Sequence, residues 1–248
     1  MKSTHNTEKS IIKKVLNYIL CATVLSMAII PICHGFPPYS ESQCKEEENK
    51  PSNYLFRAAK NGYTNIITSL LQRGIHVDTT DEYGRTALMW AVRLNHTEAV
   101  KTLIQAKANV NAADNYGKTA LMQAKEIEII KLLIQAGADV KAIDNDGATA
   151  LIKASTNPQI IHYLIQAGAD VNATDKSGGT ALMAAARCGK VESIHALIHA
   201  GANINASNIF GKTPLIYASI KGNIEAVKML LHVGANVNML APDFRTTS

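Results

Sequence analysis

Gly84-Arg85-Thr86-Ala87-Leu88 decides the fold, because it keeps returning. It reappears as Gly117-Lys118-Thr119-Ala120-Leu121, Gly147-Ala148-Thr149-Ala150-Leu151, Gly178-Gly179-Thr180-Ala181-Leu182 and Gly211-Lys212-Thr213-Pro214-Leu215. Successive glycines stand 33, 30, 31 and 33 residues apart. A second signature trails the first: Ile134-Gln135-Ala136-Gly137-Ala138-Asp139-Val140, with counterparts starting at Ile165, Ile198 and Leu231. Two linked motifs returning at a period near 33 residues describe a stack of like units, each unable to bury its apolar face alone.

Each part of the unit has a physical task. Asp or Asn three residues before the glycine, as in Asp81-Glu82-Tyr83-Gly84, makes a turn, and the glycine supplies the positive φ. Thr86, Thr119, Thr149, Thr180 and Thr213 are placed to cap a short helix with their hydroxyls. Pro214 falls at the first helical position, where a missing N–H costs nothing. Small Ala91, Ala124, Ala154, Ala185 and Ala218 let neighbouring helices approach. A turn such as Cys188-Gly189 follows, and then a second helix with a heavier apolar face, for example Val100, Leu103 and Ile104, or Ile194, Leu197 and Ile198. Gly137, Gly168, Gly201 and Gly234 end that second helix in a left-handed cap.

Hairpin, helix, turn and helix in about 33 residues resembles the ankyrin repeat. Thr213-Pro214-Leu215 carries that family's Thr-Pro-Leu signature intact, and Thr-Ala-Leu stands elsewhere. The resemblance spans 52–240 and implies an all-α solenoid of six helix-turn-helix repeats with short β-hairpin loops. The repeats run at about 52–80, 81–113, 114–143, 144–174, 175–207 and 208–240. The first lacks the Gly-x-Thr opening and reads as an N-terminal cap. After the sixth, Phe244 keeps the register of a seventh opening, and the repeat aborts in the tail 241–248. The histidine that the family places after Leu is Met89, Met122, Ile152, Met183 or Ile216 here, which exchanges hydrogen bonds for apolar packing. Lys107 replaces a capping glycine. The repeat opening at Asp114 is three residues short and that at Asp144 two, so shortened turns are expected near Lys125–Glu126 and Asn157–Pro158. The middle of the stack should therefore be its weakest part.

The N-terminus reads as an address. Lys13-Lys14 precede an apolar run from Val15 to Cys33, and Cys33-His34-Gly35 offers small residues for cleavage. A signal peptide over 1–35 is expected, with a membrane anchor over 15–33 as the alternative. Either places the remainder outside the compartment of synthesis, periplasmic or secreted. Residues 36–51, with Pro37-Pro38 and Glu46-Glu47-Glu48, read as a flexible linker.

Composition excludes several classes. The net charge is +5, but residues 1–35 hold four lysines and one glutamate, leaving 21 basic against 19 acidic residues in the remainder. That balance argues against nucleic-acid binding. Four cysteines without metal-type spacing frame no disulfide domain, and nothing supports a Cys44–Cys188 bridge. His195 and His199 lie one turn apart, but Ala196 stands where a metalloprotease motif needs Glu. They align with Lys101 and Gln105, ordinary solvent positions. No nucleophile pairs with a histidine, and the recurring aspartates recur for turn geometry. The expectation is a chain with no enzymatic activity, cofactor or metal.

What remains is a surface. The resemblance implies that a protein partner meets the hairpin tips and the inner face of the first helices. The tips offer Tyr83, Arg85, Tyr116, Lys118, Phe210 and Lys212, and the helices offer Trp90, Arg93, Gln123, Lys153 and Tyr217. Trp, Tyr and Arg dominate binding hot spots. Trp90, the one tryptophan, reads either as an inner-face contact residue that the stack does not need or as a core residue. The domain is expected to act as a monomer without membrane contact beyond the N-terminal segment. Two roles follow: a module binding a partner protein, or an accessory or inhibitor of an envelope enzyme.

Overall fold

The computed structural model describes residues 51–239. The leader or anchor, the linker as far as residue 50 and the tail from 241 lie outside the described residues, as does Phe244. Within 51–239 the chain forms twelve α-helices, two to a repeat. They are α1 (Pro51–Lys60) and α2 (Thr64–Gln72), α3 (Ala87–Arg93) and α4 (Thr97–Gln105), α5 (Ala120–Gln123) and α6 (Ile127–Gln135), α7 (Ala150–Lys153) and α8 (Pro158–Gln166), α9 (Ala181–Arg187) and α10 (Val191–His199), and α11 (Pro214–Ile220) and α12 (Ile224–His232). Among the described residues the first helix includes Pro51, the last residue of the expected linker.

The turn chemistry explains where the first helices start. Asp81 Oδ1 accepts from the amides of Tyr83 and Arg85, each at 2.9 Å. Asp114, Asp144, Asp175 and Asn208 repeat the arrangement. Gly84 turns at φ +73, and a Cβ there would come within 3.0 Å of the Asn115 backbone nitrogen, so glycine also lets adjacent tips touch. Antiparallel bridges pair Thr80 with Thr86, Ala113 with Thr119 and Thr174 with Thr180. Thr86, Thr149, Thr180 and Thr213 then accept from the amides of Met89, Ile152, Met183 and Ile216. Thr119 departs from the expectation. Its hydroxyl is buried without a partner, and the helix it opens lasts one turn before Ala124 leaves in extended backbone.

The deletions correct a second expectation. The missing residues come out of the first helix, not the turn. α5 and α7 have four residues where α3, α9 and α11 have seven. The connection still takes three residues after α5 and four after α7, as against three after α3. A turn must reverse the chain at a fixed minimum length, whereas a helix can lose a turn and keep its direction. Asn157 restores order after α7: its side chain accepts from the amides of Gln159 and Ile160, with Pro158 at the first helical position. Because the helices are short, Ala124 and Ala154 sit at their C-terminal caps rather than on their faces.

The second helices carry the core. Val100, Leu103, Ile129, Leu133, Ile161, Leu164, Ile194, Leu197 and Leu230 are buried. Full burial of each such side chain is worth about 1.5–3 kcal/mol. Met89, Met122 and Met183 are also buried, so the expected apolar replacement of the family's histidine is realised in three repeats. At the N-terminal end α2 buries fully only Ile67, as expected of a capping repeat. At the other end Ile220, Ile224, Leu231 and Val237 are exposed.

Two hydrogen-bonded ladders tie repeats together. Along the tips, the amides of Asn115, Asn145, Lys176 and Ile209 donate to the carbonyls of Tyr83, Tyr116, Asp146 and Ser177, at 2.8–2.9 Å. After the second helices, Asp78, Asn111, Asn172 and Asn205 accept from the amides of Asn109, Asp139, Asn203 and Asn236. Lys141 occupies the equivalent place between repeats three and four and has no acceptor to offer, so the ladder is broken at that step. Lys107 takes φ +65, the left-handed position expected for it.

Candidate binding surface

Trp90 is half-buried and anchored. Its Nε1 donates to Asp81 Oδ2 at 3.0 Å, nine residues back at the turn. Lys60, from the preceding repeat, places Nζ 3.9 Å from the ring centroid. Arg85 lies 4.5 Å from the same ring and 4.3 Å from that of Tyr83, and Arg93 lies 5.7 Å away. Trp90 also packs on the core. Trp90 thus combines the two readings given for it: the ring packs partly on the core and carries Lys60 from the preceding repeat, and its remaining surface stays accessible.

The nine-residue offset recurs. Asn208 Nδ2 donates to Tyr217 Oη at 2.9 Å, and Lys212 stands 5.9 Å over that ring. Lys153 Nζ lies 2.9 Å from Asp144 Oδ2, an ion pair whose carboxylate is buried. Burial alone would raise the Asp144 carboxyl. Contact with Lys153, the amides of Ala148 and Asp146 and the Lys153 charge outweigh it and hold the group below the usual carboxylate range. Gln123 holds the same place in repeat three, with Nε2 buried and unpartnered. In repeat five the residue is Ala184.

Ala184 has a consequence. With no large side chain there, and with α7 one turn short beside it, the surface opens into a hollow of about 660 Å³. Ile152, Met183, Lys153, Arg187, Cys188 and Tyr217 line it. Cys188 is exposed with a free thiol.

The other candidates stand where tips should place them. Tyr83, Tyr116 and Phe210 are exposed at 42, 56 and 47 %, with Lys118 beside Tyr116. The structure thus forms two groups, one around Trp90 in repeats one and two and one around Tyr217 in repeat six. Tyr116, Lys118, Gln123 and Lys153 lie between them. Lys60, Asp81, Asn208 and Ala184 were missed from sequence. For Asp81, Asn208 and Ala184 the signal was the constant offset of nine residues from the turn Asx to the helix side chain; Lys60, reaching in from another repeat, carried none. His195 and His199 are exposed, with ring centroids 6.3 Å apart. Among the described residues no helix is long and apolar enough to cross a membrane.

Comparison with known proteins agrees with this architecture. A model of ankyrin repeats in three copies matches successive overlapping segments from 39–114 to 155–241. An ankyrin repeat domain from Acinetobacter baumannii AYE superposes with a TM-score of 0.64 at 36 % identity, covering 73 % of this chain and 98 % of that one. The ankyrin repeat domain of Bcl-3 gives 0.64 at 28 %, covering 74 and 86 %. A chain in the complex of a predatory endopeptidase from Bdellovibrio bacteriovorus with an immunity protein gives 0.68 at 32 %, covering 74 and 99 %. An ankyrin repeat domain-containing protein of Stachybotrys chartarum is 41 % identical over 51 residues, 21 % of this chain and only 3 % of that relative's length. Ankyrin repeats are protein–protein interaction modules, typically without catalysis of their own. With matches running from residue 39 to residue 241, the chain belongs to the ankyrin-repeat family.

Proposed function

We propose that the chain is an exported, non-catalytic module that binds one protein partner across its hairpin tips and first helices. The observation that carries this reading is the row of aromatic and cationic side chains there, from Tyr83, Arg85 and Trp90 to Phe210 and Tyr217. Such residue types supply most of the energy in protein interfaces, and exposed aromatics usually mark contact surfaces. Export rests on Lys13-Lys14, the apolar run and Cys33-His34-Gly35.

A second reading makes the partner an enzyme that the solenoid holds or inhibits. It is favoured by the 32 % identical chain of like fold found in an endopeptidase–immunity complex. Affinity capture with the full chain, followed by mass spectrometry, tests both. Recovery of one hydrolase in stoichiometric amount, with its activity lowered on addition of this chain, supports the second. Recovery of a non-enzymatic protein supports the first alone. N-terminal sequencing of envelope or medium fractions should find a start near Phe36; an intact Met1 on cytoplasmic protein contradicts export.

A further inference from the structure

The cluster around Trp90 is built in a way that its role within the fold does not require. Lys60, Arg85 and Arg93 surround one indole at 3.9, 4.5 and 5.7 Å. Asp81 organises them and offsets only part of their charge. Its Oδ1 is taken by two backbone amides and its Oδ2 by the indole N–H, and Arg85 Nε stands 3.6 Å from Oδ2, too far for a hydrogen bond. Arg85 Nε is buried with no hydrogen-bond partner. Its guanidinium carbon lies 4.3 Å from the Tyr83 ring and 4.5 Å from the Trp90 ring, and its outer Nη edge matches a carboxylate through paired N–H donors. Burial chiefly lowers the Lys60 pKa; Asp81 and Glu82 oppose this, while Arg85 and Arg57 add to it. An arriving anion would relieve that crowding.

We propose that Lys60, Arg85 and Arg93 form the docking point for an acidic segment of the protein partner, whose carboxylates pair with the edge of Arg85 while its backbone lies along Tyr83 and Trp90. This rests on the reading of the chain as a protein-binding module. Charge complementarity selects the occupant. Arg57, Lys60, Arg85 and Arg93 stand against Asp81 and Glu82, an excess of two positive charges that suits one or two arriving carboxylates. A phosphate backbone needs cations continued along its track, and here the tips after Lys118 turn to Asn145 and acidic Asp146.

The full chain, with fluorescein-labelled hexaglutamate, hexalysine and oligothymidylate as probes, provides the test by anisotropy at low ionic strength. Hexaglutamate should bind. Its affinity should fall about tenfold in Lys60→Gln/Arg93→Gln and stay unchanged in Lys176→Gln, with the melting curve of each variant as control. Arg85→Lys should also weaken it, because the charge remains and the planar fork is lost. Hexaglutamate binding no better than hexalysine, equal binding by the double variant, or tighter binding of oligothymidylate would each overturn the proposal. Capture of the natural partner separates the two readings. Equal recovery by wild type and double variant removes the acidic docking point and leaves the interaction module standing. Hexaglutamate binding with no protein recovered by wild type leaves the docking point and removes the module.

Discussion

Trp90 Nε1 and Asp81 Oδ2 meet at 3.0 Å, joining the first helix of repeat two to the tip that precedes it. This bond makes the tryptophan part of the scaffold and part of the surface at once. Trp90→Phe keeps the ring and removes the donor. It should cost about 1 kcal/mol of stability, with little change in partner affinity. Trp90→Ala also removes the stacking for Lys60 and Arg85, and should cost about 2–4 kcal/mol of stability. Thermal melting and partner binding of both variants separate the contributions. Loss of binding in Trp90→Ala with an unchanged melting temperature would mean that the ring supports nothing inside the stack.

The middle of the stack should open first. Four features converge there: one-turn α5 and α7, the uncapped Thr119, Lys107 at φ +65, and Lys141 where the ladder needs an acceptor. Solenoid stability sums over repeats and interfaces. Amide exchange should run faster in 107–160 than in 175–235. Lys107→Gly should gain about 0.5–1 kcal/mol, the left-handed strain less glycine's entropy. Lys141→Asn should gain about 0.5–1.5 kcal/mol by restoring the bond to the Asp170 amide. Uniform exchange across both regions, with neither variant raising the denaturation midpoint, would contradict this ranking.

Acid should act on the Asp144–Lys153 pair in a defined direction. The Asp144 carboxyl is held below its ordinary value, so the pair's contribution is fully present above the unfolded carboxylate pKa and fades as pH falls through the folded one. Lys153→Gln leaves a buried carboxylate without its cation, and should cost about 1–3 kcal/mol at neutral pH. The gap between wild type and variant should narrow below about pH 4. Denaturation at a series of pH values checks this; a gap that widens in acid would contradict it.

Much of this was legible in the sequence because each repeat writes its own turn, cap and apolar faces. Gly84, Thr86, Leu88 and Leu103 each announce one task and recur with it. The site was less legible, because tips and inner faces are where the repeats differ. Tyr83 and Phe210 could be placed on tips from register alone. The joining of Trp90 to Asp81 depends on where an indole swings, and Lys60 reaches it from another repeat across 30 residues of sequence. The misplaced deletions have a simple origin: alignment shows that residues are missing, but only the geometry of chain reversal decides whether helix or turn gives them up.

The central claim is that a protein partner covers the tips and first helices. Hydrogen–deuterium exchange of the full chain, alone and with its captured partner, tests it most directly. Protection should concentrate at 82–93, 115–123 and 209–217, with the second helices α4, α6 and α10 unchanged. Protection confined to those second helices, with the tips exchanging as in the free protein, would contradict it.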